Sequence, residues 1–133
     1  RRPMLLRAYL GATVVLTLLE SWELADLRVE NLGSVVADFG IVWYWIEVPD
    51  GRVPEGEKAE HWQHVKANLL ARLNRDERIF IHCKGGLGRT GTLAAELLVS
   101  FGEEVPDAMK RVRIARPSAI ETTEQEDYLE ALR

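Results

Sequence analysis

Residues 78–101 are the most constraining stretch of this chain. An apolar strand, Arg78–Cys83 (RIFIHC), enters a glycine-rich turn, Lys84–Gly88, which opens directly into an apolar helix from about Arg89 to Phe101. A strand followed at once by a helix cannot fold back as a hairpin. Strands that alternate with helices in this way pair in parallel, with the helices on the faces of the sheet. The rest of the sequence repeats the alternation. Ala12–Leu18 (ATVVLTL) is a β-branched apolar run that predicts a buried strand, with a short helical entry before it in the stretch Met4–Leu19. Ser21 is a candidate N-cap for a short helix to about Arg28. Val42–Val48 (VWYWIEV) predicts a second strand, ended by the turn residues Pro49-Asp50-Gly51. Trp62, Val65, Leu69 and Leu73 fall on one stripe of a helix over Glu57–Asn74. Gly102 terminates the helix after the glycine-rich turn, and Pro106 sits in the first turn of another helix that runs to about Ala115. A last helix spans about Thr122 to Leu132. The pattern predicts an α/β fold: one three-layer domain over residues 1–133, with a small, mainly parallel sheet flanked by helices. Ligands of such sheets bind at the carboxyl ends of the strands, which puts Cys83–Arg89 and Pro49–Asp50 at one edge.

Composition narrows the function classes. The formal charge is −4, so the chain lacks the broad basic face that nucleic acids and anionic membranes require, and neither is an expected partner. A small positive pocket remains compatible. Cys83 is the only cysteine, which excludes an internal disulfide and a multi-cysteine zinc site and suits a reducing cytoplasm. Arg1 and Arg2 ahead of Met4–Leu19 echo a signal peptide, but Arg7 and Gly11 interrupt a stretch already too short to span a bilayer. The chain starts at Arg1 rather than Met, which suggests residues trimmed from the front. His61 and His64 share a helix face without a visible third ligand, so neither metal nor cofactor is expected. Trp43 and Trp45 share one strand face and read as core packing.

The chemistry concentrates in His82-Cys83-Lys84-Gly85-Gly86-Leu87-Gly88-Arg89-Thr90-Gly91. Three glycines between a strand and a helix N-terminus let backbone N–H groups converge on one point, and the helix adds its positive end, so the turn is suited to an anion. Arg89 closes the turn with a planar fork that matches two phosphate oxygens. Cys83 opens it, and the same positive field favours thiolate over thiol. One loop therefore combines a cradle for a tetrahedral dianion with a nucleophile beneath its phosphorus.

Cys-x5-Arg-Thr preceded by His resembles the signature of the protein tyrosine phosphatase superfamily. The wording HCKGGLGRTG is similar to the dual-specificity branch, which includes kinase-associated phosphatases and compact prokaryotic members. ATVVLTLLESWEL, IEVPDGRVPE and RPSAIETTEQEDYL resemble the same branch in the expected order, so the likeness covers most of the chain. The resemblance implies a phosphatase-like fold and metal-free hydrolysis of phosphoprotein monoesters through a phosphocysteine intermediate. It implies that Cys83 is the nucleophile and that Arg89 binds the phosphoryl oxygens together with the loop Lys84, Gly85, Gly86, Leu87 and Gly88. Asp50 would be the general acid and then base, on a mobile loop after the second strand. Thr90 would donate to the sulfur, and His82 would orient the loop. Glu121 stands where many members carry a glutamine that positions the hydrolytic water, and Gln125 resembles a second glutamine of the family. Arg116 resembles a position close to the phosphate loop.

Phosphotyrosine is the expected substrate, with phosphoserine and phosphothreonine left open. The expected partner is a phosphorylated protein, and the oligomeric state is unassigned. Two other functions stay open: hydrolysis of a non-protein monoester such as a phosphoinositide, and a phosphate-binding pseudoenzyme. Gly86-x-Gly88-x-x-Gly91 also matches a dinucleotide fingerprint, but no second strand with an acidic residue follows at the required distance.

Overall fold

The computed structural model describes residues 11–85 and 88–132. The helical entry expected before Ala12, and Gly86 and Leu87 of the glycine-rich turn, lie outside the described residues. Three strands, β1 (Ala12–Thr17), β2 (Val42–Trp45) and β3 (Arg78–His82), form a parallel sheet in the order β2-β1-β3. The central place of β1 explains its sequence. A parallel strand covered on both faces has to be apolar on both, and Val14, Val15, Leu16 and Thr17 are each at most 3% exposed.

On one face, Val14 and Leu16 join Ile46, Trp62, Val65, Leu69, Leu93 and Leu97 in the main core. That face is covered by α3 (Glu57–Asn74) and α4 (Gly88–Ser100). On the other face, Trp43 lies so close to α2 (Leu32–Asp38) that a Cβ on Gly33 would stand 2.5 Å from the indole ring. Helices α5 (Val105–Ala115) and α6 (Thr123–Glu130) complete the fold around a second core containing Ala95, Ala108, Ala119, Ile120 and Leu129.

The main departures from expectation are local. β2 ends three residues early, although Ile46 and Val48 still donate their N–H groups to the carbonyls of Thr17 and Leu18. The cap of α1 (Ser21–Asp26) is Glu20, not Ser21, and its backbone N–H donates to Glu23 Oε1 at 2.9 Å. Helix α2 has no clear local signature, since LGSVVAD holds a glycine and two β-branched residues. It forms where Val36 can be buried and Gly33 can approach Trp43.

A buried carboxylate locks the helices behind the loop. Glu96 of α4, 1% exposed, accepts hydrogen bonds from Trp62 Nε1 and Lys66 Nζ, both at 2.8 Å, and from the Tyr128 hydroxyl. Burial and the Glu96 contact raise the Tyr128 pKa far above its ordinary value, so it stays a donor. These bonds join α3, α4 and α6 and hold α4, whose N-terminus carries Arg89. Among the described residues no helix is long and apolar enough to cross a membrane.

Candidate active site

Three loops leave the carboxyl edge of the sheet: Leu18–Glu20 after β1, Ile46–Gly51 after β2 and the glycine-rich turn after β3. Because β1 is central, the segment that follows it lies between the other two. Arg89 is where they meet. It is 2% exposed, and its Nη1 donates to Glu23 Oε1 at 2.7 Å and to the Val48 carbonyl at 2.8 Å, while Nη2 donates to Glu23 Oε2 at 3.1 Å. The Asp50 carboxylate lies 3.9 Å from Nη2, with its side chain 76% exposed. Burial works against the Arg89 charge, but hydrogen bonding and attraction to Glu23 outweigh it and leave the pKa above its ordinary value. Glu23 is the counterpart: the Arg89 hydrogen bonds prevail over desolvation and hold its carboxyl below the usual range. The Arg89 Nε is buried and has no partner among the described residues, so one donor of the fork is free for an oxyanion.

Cys83 is buried at 9% exposure, close enough for its charge to act on Arg89, and Thr90 Oγ1 lies 3.0 Å from its sulfur. Behind Cys83, a short relay crosses the sheet. Trp43 Nε1 donates to Thr17 Oγ1 at 2.7 Å, and Thr17 Oγ1 lies 2.7 Å from His82 Nε2. The hydroxyl keeps a second lone pair beside its own proton, so it can pair with either neutral tautomer of the ring. Burial lowers the His82 pKa and favours the neutral ring.

The remaining candidates divide into two groups. Gly85 takes a φ of +81°, in the left-handed region that favours glycine. A Cβ on Gly88 would stand 2.6 Å from Glu121 Oε1, so the Glu121 carboxylate lies against the first turn of α4. That carboxylate bonds to no described residue. Gln125, 0% exposed, lies against the same turn, with Oε1 and Nε2 3.1 and 3.2 Å from that Cβ position: Oε1 accepts from the N–H groups of Glu121 and Thr122, at 2.9 and 3.3 Å, and Nε2 donates to the Arg52 carbonyl at 3.2 Å. Thr122 Oγ1 donates to the Gly51 carbonyl at 2.8 Å, and Arg52 pairs with Glu124 at 2.9 Å. The α6 entry is therefore bonded to the turn that carries Asp50. Lys84 is exposed and near enough to Glu23 to act on its charge. Exposed Arg116 lines a cavity of about 380 Å³ that also reaches Cys83, Gly85 and Thr90. His61 and His64 stay on α3, and among the described residues no three His, Cys, Asp or Glu side chains group to hold a metal.

A family model for the Swiss Army Knife DSP-PTPase phosphatase domain matches residues 3–129. The chain belongs to the dual-specificity branch of the protein tyrosine phosphatase superfamily. It is 34% identical over 114 residues to rat cyclin-dependent kinase inhibitor 3, a match covering 84% of this chain and 52% of the relative. The chain thus spans about half the length of that relative. Bovine protein tyrosine phosphatase type IVA 3 is 32% identical, over 92% of this chain and 65% of the relative. Among solved structures, kinase associated phosphatase with its catalytic cysteine replaced by serine superposes with a TM-score of 0.81 at 29% identity, covering 90% of this chain and 67% of that one. The active form of Tk-PTP gives 0.76 at 29% identity, covering 98% and 84%.

Sequence reasoning singled out Cys83, Arg89, Asp50 and Thr90, and these four converge around one guanidinium and one sulfur. It missed Glu23, Thr17 and Trp43. A signal for Glu23 was available, since the rule that puts ligands at the carboxyl ends of strands applies to the segment after β1 as much as to the other two.

Proposed function

We propose that this domain hydrolyses phosphoprotein monoesters, phosphotyrosine among them, with Cys83 as nucleophile and a phosphocysteine intermediate. The observation that carries the reading is Arg89: one buried guanidinium in electrostatic reach of the Cys83 sulfur and 3.9 Å from the Asp50 carboxylate, with no partner for Nε among the described residues. In the first step, the Cys83 thiolate attacks phosphorus as the ester P–O bond breaks. Asp50 gives its proton to the departing oxygen. Arg89 and the amides at the start of α4 balance charge on the equatorial oxygens. In the second step, water attacks the phosphocysteine, Asp50 takes its proton, and the sulfur leaves with the Thr90 hydroxyl beside it. Glu121 and Gln125 both lie against Gly88 at the start of α4, and either can orient that water. His82 holds the base of the loop. The names of the relatives support phosphorylated proteins as the substrate class, and a lone thiol suits the cytoplasm.

The test is phosphate release from a panel of phosphotyrosyl, phosphoseryl and phosphothreonyl peptides beside inositol phosphates. Sustained turnover of phosphotyrosyl peptide is expected. Release of a single equivalent would identify a phosphate trap, and preference for the inositol phosphates a non-protein substrate. In the same assay Asp50→Asn should slow alkyl phosphates about 10²–10⁴-fold and p-nitrophenyl phosphate far less, because only a poor leaving group needs the proton. Equal slowing would reject Asp50 as the acid.

A further inference from the structure

Thr17, the last residue of β1, puts a hydroxyl where sheet packing alone would be served by valine. It is 0% exposed and follows Val14, Val15 and Leu16, which are buried as deeply. A buried hydroxyl costs free energy unless it is bonded, and this one has two partners. Trp43 Nε1 donates to it, and His82 Nε2 lies 2.7 Å away. The main chain at the same point is tied to both flanking segments. The Thr17 carbonyl accepts from the Ile46 N–H at 3.0 Å, on the segment that leads to Asp50, and the Leu18 N–H donates to the His82 carbonyl at 3.0 Å. In the register of the sheet Thr17 is the partner of both Trp45 and His82. One residue of the central strand thus meets the acid-bearing segment through its main chain and the residue before Cys83 through its side chain. The His82 ring also stacks on Phe80, with centroids 5.6 Å apart and planes at 4°. Stacking fixes the plane of an imidazole, but a ring turned over by half a revolution stacks equally well. The contact at Nε2 is what decides which edge faces β1.

We propose that Thr17 is a positioning residue for the hydrolysis: its hydroxyl, oriented by Trp43, holds the His82 ring and so fixes where Cys83 enters the phosphate loop relative to Asp50. This rests on the phosphatase reading given above. Thr17 acts through His82, since its side chain bonds to neither Cys83 nor Asp50 among the described residues. The main-chain bonds of β1 survive any side-chain change at this position, so the share of the hydroxyl can be separated from that of the sheet. The bonds of Arg89, to Glu23 and the Val48 carbonyl, do not involve Thr17. Loss of the hydroxyl is therefore felt in the rate of the chemistry and not in the affinity for phosphate.

The experiment compares wild type, Thr17→Val, Thr17→Ser and Trp43→Phe, with p-nitrophenyl phosphate as substrate and inorganic phosphate as competitive inhibitor. Thr17→Val keeps the volume and removes the hydroxyl, and kcat should fall about ten- to a hundredfold, the scale of a small misplacement of reacting groups. The inhibition constant for phosphate should stay within about twofold of wild type. Thr17→Ser should recover most of the loss. Trp43→Phe leaves the hydroxyl but removes its orienting donor, and should lower kcat about threefold. In nitrogen–proton correlation spectra of the imidazoles, the His82 signals should move in Thr17→Val while those of exposed His61 and His64 hold still. Unchanged kcat in Thr17→Val would overturn the proposal, as would an equal loss of rate and phosphate affinity, or a Thr17→Ser variant as slow as Thr17→Val. Should Thr17→Val not fold, wild-type kcat in Trp43→Phe would overturn it instead. Failure of wild type to release phosphate would overturn the phosphatase reading itself, so the two failures are distinguishable.

Discussion

Cys83→Ser should lower kcat for aryl phosphates by on the order of 10⁴–10⁶-fold, the range typical for loss of a catalytic nucleophile, while phosphate still binds. A hydroxyl in the place of the sulfur lacks the thiolate's nucleophilicity and leaves phosphorus poorly. The Arg89 side of the cup would be unaltered, because its bonds to Glu23 and the Val48 carbonyl do not involve Cys83. Calorimetry with inorganic phosphate on the serine variant, beside steady-state rates, checks both halves. Residual turnover within tenfold of wild type would remove Cys83 from its role. Loss of phosphate binding together with activity would mean that the substitution had collapsed the loop.

The second large effect concerns Glu23. Glu23→Ala removes the carboxylate from a bidentate pair in which both side chains are at most 4% exposed. A buried guanidinium is then left without its counterion, and a loss of about 3–5 kcal/mol in stability is expected. Chemical denaturation measures it directly. A loss below about 1 kcal/mol would mean that water or another acceptor replaces the carboxylate freely. Phosphate should restore part of the stability, because a bound oxyanion supplies the missing charge, and this rescue should exceed any stabilisation of wild type. The pH dependence has a definite sign. The folded Glu23 carboxyl titrates below its ordinary value, so the folded state favours its ionised form. That stabilisation is complete above the unfolded pKa of about 4.3 and is lost as pH falls through the lower folded value. Wild type should therefore lose stability in acid along a limb that Glu23→Ala lacks.

Most of the fold could be read in the chain. The apolar periodicity of α3 gave both of its ends, because its stripe and its flanking turns are local features. Parallel pairing followed from strand–turn–helix succession alone. Helix α2 could not be read in the same way, since its residues are weak helix formers and its stability comes from packing on β2. The site divides likewise. Cys83, Arg89 and Thr90 lie within seven positions on one turn, so short-range spacing reveals them. Glu23 lies 66 positions from Arg89, and no local pattern connects the two. Gln125 was legible only through the family resemblance, and its bonds to Glu121, Thr122 and Arg52, which tie it to the turn that carries Asp50, appear only in the folded chain.

The primary structure alone thus determined the α/β class, the glycine-rich turn between strand and helix, and the candidate nucleophile and cation that frame it. Dihedral freedom, helix periodicity and thiol chemistry belong to residue types at short separations. Only the tertiary structure decided which carboxylate holds Arg89 and that Glu121 and Gln125 both meet Gly88. Those outcomes depend on the sheet order β2-β1-β3, which brings three distant segments to one edge, and buried electrostatics depends on what lies nearby in space rather than along the chain.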